Sequence, residues 1–461
     1  MPLTLEFQYG TLVLHQDEGE MPPDLANLCV YDSRIKGWRA EARQYAEIFS
    51  CAYRQKIPMQ DLARAYGELQ LSLRERKEPR DYQLEALQAW RAAKRRGIVA
   101  LPTGTGKSYL ALLAMELCQR STLVVVPTID LMEQWASQMR KAFGRPVGLL
   151  GGGSKDVQDL TVTTYDSAVL MMEFIGNRFG FLIVDECHHL PGKTYQQLAR
   201  MCLAPYRLGL SATPDRPDQP DDCLPEILGP ICYRREIDEL EGAALAPYRT
   251  ETIPVELNDE EYAEYERNRQ IYLSFLHRNR INFSSGKGWQ QFIQACARHG
   301  DGREALKAHI AQRAIARNCQ AKFQTIWELL QKHRLDRTLI FTADNSTAYA
   351  IGDKFFLPVL THHTNATERH AILTAFRQGE LPVLVTSKVL NEGVDVPEAN
   401  VGIVVSGSGS VREHVQRLGR ILRQSQGKTA VLYEIVSLGT SEWSVSERRR
   451  QHRAYERPDS L

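Results

Sequence analysis

Short, almost wholly apolar runs recur along the chain, and each breaks into a loop rich in glycine or hydroxyl residues before a longer amphipathic stretch. IVALPTGTGKS (98–108), STLVVVPTIDLMEQW (121–135), TVTTYDSA (161–168), FLIVDECHHL (181–190) and YRLGLSATPDRPD (206–218) follow this design, and TLIFTADNSTAYAI (338–351) and VLVTSKVLNEGVDVPEANVGIVV (383–405) repeat it. A strand this uniformly apolar is buried on both faces, as in a parallel sheet covered by helices. The pattern therefore predicts an α/β chain, with the loops at the carboxyl ends of its strands facing the binding edge. The first 76 residues read differently. LTLEFQYGTLVLH alternates as strands do, LCVYDSR follows, and helix-like stretches run from Trp38 to Arg54 and from Met59 to Tyr66. This is a small α/β module, and the charged, proline-ended stretch Leu71 to Arg80 is a hinge into the next domain.

Length and composition bound the answer without fixing it. A chain of 461 residues with 43% hydrophobic and 25% charged residues suits about three soluble globular domains. The expected division is 1–76, 77–244 and 245–461. No run approaches the roughly 18–20 apolar residues that cross a bilayer, and Met1 to Glu20 lacks an export signal, so a cytoplasmic location without membrane partners is expected. The nine cysteines include no C-x-x-C pair, which argues for reduced structural thiols over a zinc ribbon or redox pair. A formal charge of +1 gives no global attraction to nucleic acid, so such binding needs a local basic surface. One exists: between 265 and 322 eleven Lys and Arg, among them Arg278 and Arg280, face three acids, with Tyr272, Phe275, Phe283, Trp289 and Phe292 interleaved. That mixture can neutralise phosphates and stack bases, although aromatics at helical spacing are more often core.

The chemistry centres on 98–108. A strand delivers the chain to Thr103, Gly104, Thr105 and Gly106, and a helix (Tyr109 to Gln119) leaves, so backbone N–H groups converge on an anion. Lys107 would reach the β and γ phosphates, and the Ser108 hydroxyl would take one position on Mg²⁺. Arg80 and Gln83 lie one element earlier, ahead of a helix expected from Leu84 to Arg96; a glutamine amide both donates and accepts, as reading adenine requires. After the strand at 181–185, Asp185 is suited to hold Mg²⁺ through water, and Glu186 to deprotonate the attacking water. His188 fits a hydrogen-bonding relay better than a metal site, and Ser211 and Thr213 can link hydrolysis to a distant site. Hydroxyls in the strand-end loops at Thr128, Thr163, Thr164, Tyr165, Ser167, Thr342 and Thr386 are candidates for contact with a phosphate backbone. The GGGS turn at 151–154 is assigned no chemistry.

GTGKS, DECH and SAT, in that order, resemble motifs I, II and III of a superfamily 2 helicase, and the runs at 338–351, 383–405 and 414–423 resemble motifs IV, V and VI. The resemblance implies two RecA-like parallel-sheet motor domains that use ATP and Mg²⁺. It assigns Arg420 and Arg423 to the transferring phosphoryl group, Gln416 to the phosphates or water, and Gly393 and Asp395 to the nucleotide, Asp395 accepting from the ribose hydroxyls. YDSR, DECHHLP, RLGLSATP, THHT, NEGVDVPEANVG and SGSGSVREHVQRLGRILR resemble more narrowly the XPB helicases, above all the compact archaeal and bacterial members. That likeness implies a damage-recognition module at the N-terminus and a thumb-like helical insertion (258–318) in the second motor domain. It also implies an Arg-Glu-Asp element, which here reads Arg216, Pro217, Asp218; the proline in place of glutamate departs from the family pattern at a proposed DNA contact.

The implied activity is a monomeric ATP-dependent DNA helicase or translocase moving 3′ to 5′ on forked, 3′-tailed or damaged DNA in excision repair, with a structure-specific nuclease as partner. Two alternatives stay open. One is a duplex translocase serving as motor of a nuclease or defence complex; the other is a non-hydrolysing scaffold. RNA in place of DNA is a further possibility, since motor contacts in such folds go mostly to the backbone.

Overall fold

A computed structural model of the chain describes residues 3–15, 21–214, 223–236, 238–240, 248–283, 288–387, 399–406 and 430–443. The chain forms two compact units, Met1–Arg235 and Glu236–Leu461. Arg216, Asp218, Gly393, Asp395, Gln416, Arg420 and Arg423 lie outside the described residues.

The first unit holds two sheets. In the smaller, β1 (Leu3–Gln8) and β2 (Thr11–His15) form a hairpin closed by Tyr9 and Gly10 at φ 48° and 78°, the positive angles a two-residue turn requires. β3 (Val30–Asp32), β4 (Gly37–Glu41) and β5 (Met59–Asp61) complete it in the order β3-β4-β2-β1-β5. Two expectations change here. Trp38 does not start a helix; it pairs with Leu14 and Tyr31 across the sheet, and the helix covers only Tyr45–Arg54. Met59 likewise pairs with Leu3 as a strand. In both stretches pairing with β1–β3 outweighs the local helical pattern.

The module's core includes Leu203 from the adjoining domain, and Met201 lies where a Cβ on Gly10 would fall, 2.7 Å away. Arg200 donates to Glu41 at 2.9 Å, and Arg43 pairs with Glu226. The module is thus packed and ion-paired onto its neighbour within this unit.

The larger sheet contains β6 (Arg96–Ala100), β7 (Thr122–Val126), β8 (Gly148–Gly151), β9 (Ser154–Lys155), β10 (Leu160–Thr164), β11 (Phe181–Asp185), β12 (Tyr206–Ser211) and β13 (Ile231–Arg234), in the order β13-β6-β12-β11-β7-β10-β8-β9. Its pairs are parallel except β8–β9. All five residues of β7, β10 and β11 are buried, as their apolar composition predicts. The helix at 81–92 ends earlier than expected because Lys94 and Arg95 turn to φ 58° and 60°, releasing the chain into β6. Arg207 on β12 is fully buried, and its guanidinium donates to the carbonyls of Ala204, Ala199, Ile227 and Cys202. Burial lowers its pKa to about 9.

The second unit has one parallel sheet, order β14-β19-β18-β15-β17-β16, from β14 (Tyr248–Val255), β15 (Thr338–Phe341), β16 (Val359–Leu360), β17 (Val383–Thr386), β18 (Val401–Val404) and β19 (Ala430–Ser437). Between β14 and β15 the chain makes helices at Asp259–Arg278, Gly288–Arg298 and Gly302–Asn318, followed by Gln320–Lys332. Asn258 and Glu261 cap the first reciprocally. Phe275, Phe292 and Ala305 form a small core of their own among these helices.

Candidate nucleotide site and nucleic-acid surface

The sheet order sets β6, β12 and β11 side by side, so the glycine-rich loop, the Ser211-Ala-Thr turn and Asp185-Glu186 share one carboxyl edge. Leu101 N–H donates to Ser211 O at 3.0 Å and ties the first two loops together.

In the glycine-rich loop Gly104 and Gly106 sit at φ 88° and 81°, and Gly106 starts the helix Lys107–Cys118. A Cβ at Gly106 would lie 2.7 Å from Gln83 Nε2 besides being strained by its positive φ. The loop is held from below. Tyr82 OH donates to Thr105 O at 2.6 Å, Gln83 Nε2 donates to Thr105 O and Gly106 O at 3.2 Å, and Thr105 Oγ1 donates to Pro102 O at 2.7 Å. Lys107 Nζ donates to Leu101 O at 3.0 Å, at the mouth of β6. Gln83 Oε1 accepts from Arg80 N–H at 3.1 Å, and Arg80 NH1 donates to Tyr82 OH. In this conformation the buried Gln83 amide is engaged on both sides by the protein, so it braces the phosphate loop.

At the end of β11, Asp185 Oδ2 accepts from the indole of Trp135 at 2.9 Å and Oδ1 from Glu186 N–H at 3.0 Å. Glu186 adopts φ 47°, ψ 49°, a left-handed conformation that costs a side-chain-bearing residue about 1–2 kcal/mol. Tyr165 OH offsets it by donating to the carbonyls of Asp185 and Glu186 at 3.0 and 3.2 Å. His188, buried, places Nδ1 3.1 Å from Ser211 Oγ and 3.4 Å from Glu186 Oε2, and Ser211 Oγ accepts from Thr213 N–H at 3.1 Å. Ser211 and Thr213, expected to link hydrolysis to a distant site through their hydroxyls, are joined to each other by the Ser211 hydroxyl and the Thr213 amide. Burial, reinforced by Glu186 and Asp185, pushes the Cys187 thiol far up, so it packs as a neutral group.

Sequence patterns missed Trp135 and mistook Tyr165. Trp135 stands seven residues after Thr128, on the helix Ile129–Phe143 that follows β7, and reaches Asp185, a partner 50 positions away. Tyr165 and Thr163, expected at a phosphate backbone, are buried; Thr163 Oγ1 donates to Leu150 O at 2.9 Å. Thr342 and Thr386 are likewise fully buried, their hydroxyls donating to main-chain carbonyls of Asp344 (2.9 Å) and Ser387 (3.0 Å). A hydroxyl inside a sheet end meets its hydrogen-bonding need locally. Thr128 and Thr164 cap the helices that follow them, accepting from Leu131 N–H and Ser167 N–H at 3.3 and 3.4 Å. A Cβ on Gly151 would lie 3.1 Å from Thr164 Oγ1, so the glycine turn given no role borders that cap.

Around the insertion, Arg278 pairs with Asp301, Arg280 is exposed at φ 52°, and Arg317 donates to Asp344 at 2.6 Å. Phe275 and Phe292 are core, whereas Trp289 and Phe283 remain substantially exposed.

The residues fit a hydrated magnesium nucleotide. Ser108 and Asp185 supply hard oxygen donors, and Gly104 and Gly106 leave the cradle open to phosphates. No helix among the described residues is long and apolar enough to cross a membrane.

Three family models match the chain: the Xeroderma pigmentosum group B helicase damage recognition domain over 5–63, the type III restriction enzyme res subunit over 76–216, and the ERCC3/RAD25/XPB C-terminal helicase over 303–454. The DNA 3′-5′ translocase XPB2 of Sulfurisphaera tokodaii is 39% identical over 422 residues, 91% of this chain and 95% of that protein. The DNA 3′-5′ helicase XPB of Mycobacterium tuberculosis is 29% identical over 373 residues, which span 78% of this chain and 60% of the relative. Among solved structures the Pyrococcus furiosus Hef helicase domain superposes with a TM-score of 0.56 at 19% identity, covering 81% of this chain and 98% of that one, a likeness of fold. With its fold, its motif order and a 39% identical relative matched nearly end to end, the chain belongs to the XPB family, in its compact archaeal and bacterial form.

Proposed function

We propose that the protein is an ATP-dependent DNA translocase and helicase that moves 3′ to 5′ and opens DNA, in repair or a related DNA-processing pathway. The observation that carries this reading is the contiguous edge of β6, β12 and β11, where Lys107, Ser211, Asp185 and Glu186 stand at the ends of adjacent strands or in the loops just beyond them, with Leu101 bonded to Ser211 and His188 in contact with both Ser211 and Glu186. The names of the relatives supply the substrate and the direction. The domain division of 1–76, 77–244 and 245–461, with an insertion at 258–318, is part of the proposal.

Lys107 leaves the Leu101 carbonyl for the β and γ phosphates, and the amides after Gly104 and Gly106 receive phosphate oxygens. Ser108 and Asp185 would hold Mg²⁺, which when bound neutralises charge on the phosphate oxygens. Glu186 takes a proton from water as its oxygen bonds to the γ phosphorus; the bond to the bridging oxygen breaks and ADP leaves with that electron pair. Trp135 and the Glu186 amide fix Asp185, and Tyr165 holds the strained Glu186 backbone, so both carboxylates are oriented before substrate arrives. Arg420, Arg423 and Gln416 complete the site by family pattern, with Gly393 and Asp395 toward the nucleotide. The basic insertion, Arg278 and Arg280 included, meets DNA phosphates, and Arg216 and Asp218 of the Arg-Pro-Asp element are further contacts to DNA; a structure-specific nuclease would be the partner.

Displacement of streptavidin from end-labelled single strands tests the polarity. ATP-driven release from the 5′ end but not the 3′ end is expected; release from the 3′ end alone, or equal release with RNA, would overturn the reading.

A further inference from the structure

β13 is an edge strand of the larger sheet and runs parallel to β6, the strand that delivers the chain to the glycine-rich loop. Its register sets Tyr233 beside Val99 and Arg234 beside Ala100, so the two strands end level at the same carboxyl edge. The next residue, Arg235, is the last of the first unit, and Glu236 opens the second. The chain therefore passes from one unit to the other straight from the neighbour of the phosphate-loop strand. Any displacement of the second unit against the first reaches the first through this residue.

Arg235 is held on two sides. Its N–H donates to Ala100 O at 3.1 Å, which extends the pairing with β6 to the residue just before Leu101. Leu101 in turn receives Lys107 Nζ on its carbonyl and bonds to Ser211 through its amide. The Arg235 guanidinium turns the other way, to the helix Asp81–Ala92: NH2 donates to Glu85 Oε2 at 3.0 Å and Nε to Tyr233 OH at 3.0 Å, while Tyr233 OH donates to the same Glu85 oxygen at 2.7 Å. Hydrogen bonds from Tyr233 and Arg235 hold the Glu85 carboxyl below the usual carboxylate range. Glu85 stands two residues after Gln83 and three after Tyr82, the side chains that brace Thr105 and Gly106 from below. The exit from the first unit is thus bonded both to the strand that opens the phosphate loop and to the helix that braces it. With the Glu85 and Arg235 side chains 49% and 37% exposed, the pair contributes little to stability; what it fixes is the position of the strand end.

We propose that Arg235, Tyr233 and Glu85 form a clamp that carries displacement of the second unit into the phosphate loop, so that the stimulation of ATP hydrolysis by DNA depends on it while nucleotide binding and basal hydrolysis do not. The three are positioning residues, acting through Ala100 and the bracing helix. The proposal rests on the reading of the protein as a DNA motor. With the clamp closed, a pull at Glu236 moves the end of β6 and the helix that carries Tyr82 and Gln83 together. With it open, the strand end beyond Tyr233 frays and absorbs the pull before it reaches the loop.

The test is steady-state ATP hydrolysis by the full chain, without DNA and with saturating 3′-tailed DNA, in the wild type, Arg235→Gln, Glu85→Gln and the double variant, with thermal unfolding of each. A coupling of ordinary size predicts that each single variant loses about fivefold or more of the DNA-stimulated rate, with the basal rate and the KM for ATP unchanged. The double variant should be no worse than either single one, because all three break the same contact. Arg235→Lys, which keeps the charge but not the fork that reaches Glu85 and Tyr233 together, should recover part of the stimulation. Undiminished stimulation in both single variants, or losses that add in the double variant, would overturn the clamp while leaving the motor reading intact. Basal and stimulated rates that fall equally, in step with the Tm, would assign these contacts to the fold alone and likewise overturn it. A wild type that hydrolyses ATP at the same rate with and without DNA would overturn the motor reading, and the clamp with it.

Discussion

The carboxyl edges of the two parallel sheets carry different kinds of polar group. At the edge of the first, nearly every functional side chain already has a protein partner: Trp135 holds Asp185, Tyr82 and Gln83 hold the phosphate loop, and His188 joins Glu186 to Ser211. At the edge of the second, the strand-end hydroxyls of Thr342 and Thr386 turn inward to main-chain carbonyls. His309, whose ring nitrogens have no hydrogen-bond partner among the described residues, stands on an insertion helix beside it. An edge built for bond breaking must hold its dipoles fixed before the reaction, because reorganising them would add to the barrier.

The sharpest way to break this contrast is at Glu186. Glu186→Gln keeps the shape and removes the base, and a fall in ATP turnover of about 10²- to 10⁴-fold is expected, with nucleotide binding retained in a filter or fluorescence assay. Trp135→Phe tests whether the partners of the first edge matter. Losing a charge-assisted hydrogen bond worth about 1.5–3 kcal/mol should lower kcat about tenfold or more with little change in KM, and thermal unfolding would show whether packing was harmed. Ser211→Ala should act more mildly on hydrolysis, within severalfold, yet lower the number of base pairs opened per ATP, since it removes the group between His188 and Thr213. An unchanged ratio of unwinding to hydrolysis would deny that link.

The second edge gives the smallest effect and a different readout. His309 holds a pKa of about 4 in the folded chain against 6.5 when free. Between these values the unfolded state binds the additional proton, so stability decreases as pH falls from 6.5 to 4 and is unaffected by this group above that window. His309→Phe should flatten the apparent Tm over that window by a few degrees relative to wild type; an unaltered slope would show that the ring is not shielded as described.

Much of the first edge was legible in the sequence, because its residues are contiguous in short motifs and the uniformly apolar strands before them announce a buried parallel sheet. The glycines, Lys107, Ser108, Asp185 and Glu186 could be placed at strand ends without coordinates. What could not be read were partners separated by tens of positions: Trp135 to Asp185, Tyr165 to the Glu186 carbonyl, Arg207 to four carbonyls around it. Hydroxyls were the least legible. A threonine after an apolar strand looks the same in sequence whichever partner its hydroxyl takes: Thr164 accepts from Ser167 N–H and caps its helix, whereas Thr342 donates to the Asp344 carbonyl. The N-terminal module misled for a related reason: Trp38 to Glu41 sits next to a true helix and is drawn into the sheet by β2 and β3.

The most direct test of the central claim is steady-state ATP hydrolysis by the wild type and Lys107→Ala, without nucleic acid and with 3′-tailed DNA, plain duplex or RNA. The account predicts hydrolysis that rises with 3′-tailed DNA and is lost in Lys107→Ala, whose folded state should be unchanged by circular dichroism. Hydrolysis of equal rate in both proteins would contradict it.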